Sequence, residues 1–212
     1  MMQKLLFPIV LAIVAVVGVV SYQLMNDDSP PELETSLLYS SPRTIEPFVL
    51  QGTEGNEVTN SDLEGQWTIL FTGYTFCPDI CPTTMAQLKQ RWSQLTATTN
   101  TPVRVWMVSV DPQRDDIPRL RNYVEFFGED FFGVTAEHKE LFPFVRNLGL
   151  MYSIPDEDET NYLVNHSAAL ILINPDGHQQ AVFRASHEPG MIPTVNPQLL
   201  INDFNRIVSY LE

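Results

Sequence analysis

WTILFTGYTFCPDICPTTM, residues 67–85, decides how this chain folds. Its first part, Trp67 to Tyr74, is β-branched, aromatic and almost continuously apolar, which predicts a strand buried on both faces. From Pro82 onward, Met85, Leu88, Trp92 and Leu95 recur at helical spacing and predict a helix to about Thr96. Both cysteines of the chain, Cys77 and Cys81, fall in the short connection between strand and helix. Pro82 suits a first helical position, where its missing N–H costs nothing, so Cys81 is expected at or near the N-cap. Free amide donors and the helix dipole there favour negative charge on sulfur.

Working outward, Phe48 to Thr59 has two short apolar stretches around a Gly-containing turn and predicts a hairpin. Val103 to Val110 (VRVWMVSV) predicts a second core strand. Ile117, Leu120, Tyr123, Val124 and Phe127 mark a second helix, with Asp115 and Asp116 at its positive end. Leu141, Phe144, Val145 and Leu148 mark a third. Ala168 to Arg184 predicts two strands around Pro175-Asp176-Gly177, and Leu199 to Tyr210 a closing helix. Strands separated by helices, then a hairpin and a helix, imply an α/β fold: a mostly parallel central sheet flanked by helices on both faces, an order compatible with a thioredoxin-like fold.

The chain has 212 residues, 44% hydrophobic and 18% charged, with a net charge of −14. So acidic a surface repels phosphate backbones, and the nearest basic grouping, Arg114, Arg119 and Arg121, is interrupted by Asp115 and Asp116; nucleic acid is excluded as a partner. The run Leu5 to Val20 is apolar apart from Pro8 and Gly18, preceded by Lys4 and followed by Asp27, Asp28, Glu32 and Glu34. It reads as an uncleaved membrane anchor within residues 1–25; the rival is a cleaved signal peptide, against which stands the lack of a small-x-small site near Ser21. The charge asymmetry puts the amino terminus in the cytoplasm and the remainder on the periplasmic or extracytoplasmic side. Residues 26–47, rich in Pro, Ser and acids, read as a tether, and the folded domain is expected over 48–212.

Two cysteines three residues apart can close a disulfide if their Cα atoms come within about 7 Å, or can chelate a soft metal. Spacing alone does not separate the two, although it is one residue longer than the pair of an ordinary thioredoxin. A third donor would. Of the four histidines, His138 falls among acids at a helix start and is expected to be solvated. His178 beside a turn and His187 in a loop are expected at the surface. His166 directly precedes the predicted strand Ala168 to Ile173, from where it can reach a loop at the end of another strand. Met85 and Met107 sit at periodic core positions; Met151 and Met191 lie in loops and read as surface or filler residues.

Three segments, GYTFCPDICPTTM (73–85), VSVDPQRD (108–115) and YLVNHSAALILINPDG (162–177), taken in this order, resemble the Sco/SenC family of copper chaperones for cytochrome c oxidase assembly. The resemblance runs from about Phe48 to the carboxyl terminus. It implies a thioredoxin-like fold and copper, as Cu(I) or Cu(II), bound by Cys77, Cys81 and His166. It further implies delivery to the dinuclear copper site of cytochrome c oxidase subunit II, with an upstream copper donor or thiol reductant as a further partner. Asp79 matches the family's acidic residue between the cysteines, in a helper or partner-contact role. Asp111, Arg114 and Asp115 match its Asp-Pro motif as structural or docking residues. Two positions depart from the family: Asn165 stands where Asp usually precedes the histidine, and Phe76 where many members have histidine before the first cysteine. The competing reading is a membrane-tethered thiol–disulfide reductase, which uses Cys77 and Cys81 as a redox pair and needs neither metal nor histidine. A peroxiredoxin-like peroxidase fits less well, because no arginine flanks the motif.

Overall fold

In the computed structural model, residues 13–18, 21, 29–153, 162–186 and 193–212 are described. The chain divides into two units, 1–32 and 33–212. In the second unit the strands are β1 (Ser36–Arg43), β2 (Leu50–Gly52), β3 (Glu57–Val58), β4 (Trp67–Gly73), β5 (Val103–Ser109), β6 (Phe131–Thr135), β7 (Leu170–Ile173) and β8 (Gln179–Phe183). The helices are α1 (Ile80–Gln90), α2 (Trp92–Thr96), α3 (Ile117–Glu125), α4 (His138–Asn147) and α5 (Pro197–Leu211).

The sheet has eight strands in the order β1-β8-β7-β4-β5-β6-β2-β3. β4 is central and wholly buried, as its continuous apolarity predicts. Period-two alternation sends Trp67, Ile69 and Phe71 of β4, with Val103, Val105 and Met107 of β5, to one face. There they pack against Met85 and Leu88 of α1, Leu95 of α2, Leu120 and Val124 of α3, and Phe204 and Ile207 of α5. Leu70, Trp106 and Val108 point to the other face, against Leu141, Phe144 and Val145 of α4. The two apolar layers are continuous and leave the cysteine loop at one end of the sheet.

Four expectations are corrected. The sheet is not mostly parallel: β4–β5 and β5–β6 run parallel, while β1–β8, β8–β7, β7–β4, β6–β2 and β2–β3 are antiparallel. The β7–β8 hairpin is laid antiparallel against β4, a choice that strand and helix order along the chain does not encode. The helix after the cysteines starts two residues earlier than predicted, at Ile80, and breaks at Arg91 into α1 and α2. β6, whose Phe131–Thr135 is short and entirely buried, was not anticipated.

The tether is the fourth. Its Ser36–Arg43 stretch is an edge strand, with Leu37 opposite Val182 and Leu38 opposite Ala181. An outer strand exposes most of its side chains and therefore has linker-like composition. What fastens it is Asp203, fully buried on α5. Its carboxylate accepts hydrogen bonds from the backbone N–H groups of Glu34 (2.9 Å), Thr35 (2.8 Å) and Ser36 (2.9 Å) and from Ser36 Oγ (2.9 Å). The folded unit thus includes residues from Leu33 on, not from Phe48.

No helix among the described residues is long and apolar enough to cross a membrane. Of the expected anchor Leu5–Val20, residues 13–18 are helical and the others lie outside the described residues.

Replacing Asp203 removes the acceptor for three backbone amides. Asp203→Ala is expected to lower unfolding free energy by about 2–3 kcal/mol. Urea denaturation measures this, and hydrogen exchange should locate the lost protection at residues 34–38.

Candidate metal centre

β4 ends at Gly73 and the chain turns through Tyr74, Thr75 and Phe76 to Cys77, whose N–H donates to the Tyr74 carbonyl at 3.2 Å. Asp79 is the exposed N-cap of α1, without a side-chain capping bond, which places Cys81 at the second helical position. Pro82 is then the third, still among the first four residues whose N–H groups lack helical partners. Cys81 is fully buried and Cys77 half-buried, and both are free thiols. Gly73 makes room for the inner sulfur: a Cβ there would lie 3.0 Å from Cys81 Sγ and 3.2 Å from Met107 Cε.

The third donor arrives from across the sheet. His166 bridges to Tyr152, flanked by hydrogen bonds from Ser153 N to Asn165 O and from Ser167 N to Met151 O, both 2.9 Å. Thr72 Oγ1 of β4 donates to the Ser167 carbonyl at 3.1 Å and ties that segment to the end of β4. His166 Nδ1 lies 3.0 Å from the same carbonyl. A carbonyl can only accept, so Nδ1 carries the proton and Nε2 turns its lone pair toward Cys81 Sγ, 3.6 Å away. The Tyr74 ring packs edge-on against the imidazole. Cys77 Sγ, Cys81 Sγ and His166 Nε2 or Nδ1 all lie within 4.8 Å of one another.

The two thiols are electrostatically unequal. Cys77 is held well below the usual thiol range, first by the hydrogen bond from the Cys81 thiol and then by the backbone amides of Asp79 and Cys81, against its burial. Cys81 is pushed up, because its proton is shared with Cys77 and because it is buried. The proton is thus drawn toward Cys81 at the back of the site, and Cys77 at its mouth is the thiol that ionises more readily. Two sulfurs and one imidazole nitrogen form a soft-leaning set suited to copper, and three donors leave a position open for an incoming ligand.

The other sequence candidates play different parts. Buried Asp115 accepts from Thr75 N (2.8 Å), Thr75 Oγ1 (2.6 Å) and Ser109 Oγ (2.6 Å), and burial pushes its carboxyl up against those bonds. Asp111 pairs with Arg114 at 2.6 Å and accepts from the Tyr162 hydroxyl at 2.7 Å. Asn165 contributes its backbone carbonyl to the bridge, and the partner of His166 Nδ1 is the Ser167 carbonyl. Phe76 is 45% exposed, with the guanidinium carbons of Arg114 and Arg119 at 4.9 and 4.8 Å from its ring centre. His138 is not solvated as expected: it is half-buried against Phe142 and Tyr152, with Nδ1 3.0 Å from the Tyr152 hydroxyl, and burial lowers its pKa. His178 is half-buried rather than exposed. His187 and Met191 lie outside the described residues, Met85 and Met107 are core residues, and Met151 is exposed. Sequence reasoning did not single out Gly73, Thr75, Tyr162 or Ser167. All four lie in the segments 73–85 and 162–177 that carry the family resemblance, but the part Ser167 plays is that of a main-chain atom, which residue type does not reveal.

An α/β domain with two cysteines at a strand-to-helix turn and a histidine facing them defines a thioredoxin-like scaffold adapted to hold a soft metal. The SCO1/SenC family matches residues 38–195, and the chain belongs to that family. A Stutzerimonas stutzeri protein provisionally named as copper-binding is 34% identical over 167 residues, covering 79% of this chain and 82% of that protein. The mitochondrial SCO1 homolog 1 of Arabidopsis thaliana is 32% identical over 142 residues, 67% of this chain, and the match spans 42% of its length. Among solved structures, Arabidopsis thaliana ScoI with copper bound superimposes with a TM-score of 0.67 at 28% identity, covering 78% of this chain and 99% of that one.

Two outcomes follow from this geometry. In the metal-free reduced protein, iodoacetamide should label Cys77 and spare Cys81. Because the Cys77 pKa is lowered, its labelling should persist below pH 7, where an ordinary thiol near 8.5 slows about tenfold per pH unit; mass spectrometry of the labelled peptide reads both. Gly73→Ala should cost about 1–3 kcal/mol of stability by crowding the Cys81 sulfur, measured by thermal or denaturant unfolding.

Proposed function

We propose that this protein is a copper chaperone rather than an enzyme. It binds copper through Cys77, Cys81 and His166 and delivers it to the dinuclear copper site of cytochrome c oxidase subunit II. The observation that carries the reading is the convergence of these three donors within 4.8 Å, with both thiols free. Thiolates favour Cu(I) and imidazole accepts either oxidation state, so the set can hold both. Family membership and the copper-bound relative of similar fold support the metal. Transfer suits an open three-donor site, because the recipient's ligand can bind before a donor leaves. An upstream copper donor or thiol reductant would load or reduce the pair. The apolar run Leu5–Val20 ahead of an acidic stretch supports anchoring in the cytoplasmic membrane by a single pass, with the domain on the outer side.

A second reading has its own support. A half-exposed Cys77 thiolate backed by buried Cys81 is the arrangement of an attacking and a resolving thiol, so the same pair can act as a thiol–disulfide reductase for the recipient's cysteines.

Titration of the reduced full-length chain with Cu(I) tests the first reading. Cys77→Ser and Cys81→Ser should each weaken Cu(I) binding by more than the ~10–100-fold typical of losing a residue that only supports a ligand, and His166→Ala should weaken it by less. Unchanged binding in all three variants would refute it. His166→Ala should leave disulfide exchange near the wild-type rate, which separates the two readings.

A further inference from the structure

His166 and the cysteines come from segments far apart in the chain, and Ser109–Asp115 touches both. Toward the cysteines, Asp115 holds Thr75, two residues before Cys77, by its N–H and its hydroxyl. Toward the histidine, Arg114 and Asp111 hold Tyr162, four residues before His166. Asp111 accepts the Tyr162 hydroxyl at 2.7 Å, while Arg114 Nη1 donates to the Tyr162 carbonyl at 3.1 Å. The guanidinium carbon stands 3.6 Å from the centre of the Tyr162 ring. It also lies 4.9 Å from the Phe76 ring and 5.7 Å from the Tyr74 ring, which belong to the cysteine loop. Arg114 Nε is locked by Asp111 at 2.6 Å, so the guanidinium has little freedom between these rings. Arg114 therefore contacts both halves of the site.

We propose that Arg114, fixed by Asp111, is a positioning residue that clips the His166 segment onto the cysteine loop. It thereby sets whether the cysteines hold metal alone or together with the imidazole. This rests on the reading of Cys77, Cys81 and His166 as copper donors. Two thiolates suffice for Cu(I), whereas Cu(II) depends on the nitrogen donor. Loosening the clip should therefore cost Cu(II) affinity more than Cu(I) affinity. The Asp115 arm holds only the cysteine loop, so its loss should not show that bias. Lysine at 114 keeps the charge and can still pair with Asp111, but it cannot reach the Tyr162 carbonyl through a planar fork while stacking on three rings.

The experiment compares the full-length wild type with Arg114→Lys, Tyr162→Phe and Asp115→Asn. In the metal-free reduced proteins, iodoacetamide labelling of Cys81 should rise several-fold in Arg114→Lys and less in Tyr162→Phe, because His166 no longer covers that sulfur. With metal added, Arg114→Lys should lose about 10–100-fold in Cu(II) affinity, more than it loses for Cu(I), and the sulfur-to-copper charge-transfer band of the Cu(II) form should weaken. Tyr162→Phe should show the same bias to a smaller degree, and it decides the matter if Arg114→Lys does not fold. Equal losses for both oxidation states, or a Cys81 that stays protected in both variants, would overturn the clip. Absence of copper binding by the wild type would instead overturn the copper reading, while the Cys81 labelling still reports on the clip.

Discussion

The arrangement depends on the antiparallel pairing of β7 with β4. Leu70 faces Ile171 and Thr68 faces Ile173, so β7 begins where β4 ends. The cysteines follow the end of β4 and His166 precedes the start of β7, and antiparallel pairing brings those two points to the same edge of the sheet. Had β7 run parallel to β4, its leading residues would lie at the opposite edge, a strand's length away at about 3.3 Å per residue. The bond from Thr72 Oγ1 to the Ser167 carbonyl marks the junction, and that same carbonyl fixes the tautomer of His166.

Around this junction the structure separates holding from reacting. The donors themselves sit in a loop, in the first turn of α1, and on an isolated bridge between two loops. Behind them lie polar contacts with neighbouring residues, buried Asp115 bonded to Thr75 on the cysteine side and buried Asp111 with half-buried Arg114 bonded to Tyr162 on the histidine side. A buried carboxylate without partners would be costly, so these contacts are exacting as well as favourable. Asp203 uses the same device far from the site, satisfying the backbone at the start of β1 with one buried carboxylate.

Much of this could be read locally. Continuous apolarity gave β4 and β5, and helical spacing gave α1, α3, α4 and α5 to within a few residues. The misses share one cause. β1 is an edge strand, and its exposed Ser40, Ser41 and Pro42 resemble a linker until Asp203 and β8 are set beside it. β6 is five residues long, too short for periodicity to declare. His138 was read as solvated because its sequence neighbours are acidic, but its spatial neighbours are Phe142 and Tyr152.

By itself the sequence determined the chemistry available: two cysteines three residues apart between a buried strand and a helix, a histidine ahead of a later strand, and an apolar run near the amino terminus of an acidic chain. Those are properties of neighbouring residues, set by side-chain type and period. The tertiary structure decided which strand direction brings Cys77, Cys81 and His166 together, which thiol is buried, and that Arg114 spans the two halves. Such facts depend on pairing between segments distant along the chain, where the energy lies in contacts and buried hydrogen bonds that no local pattern records.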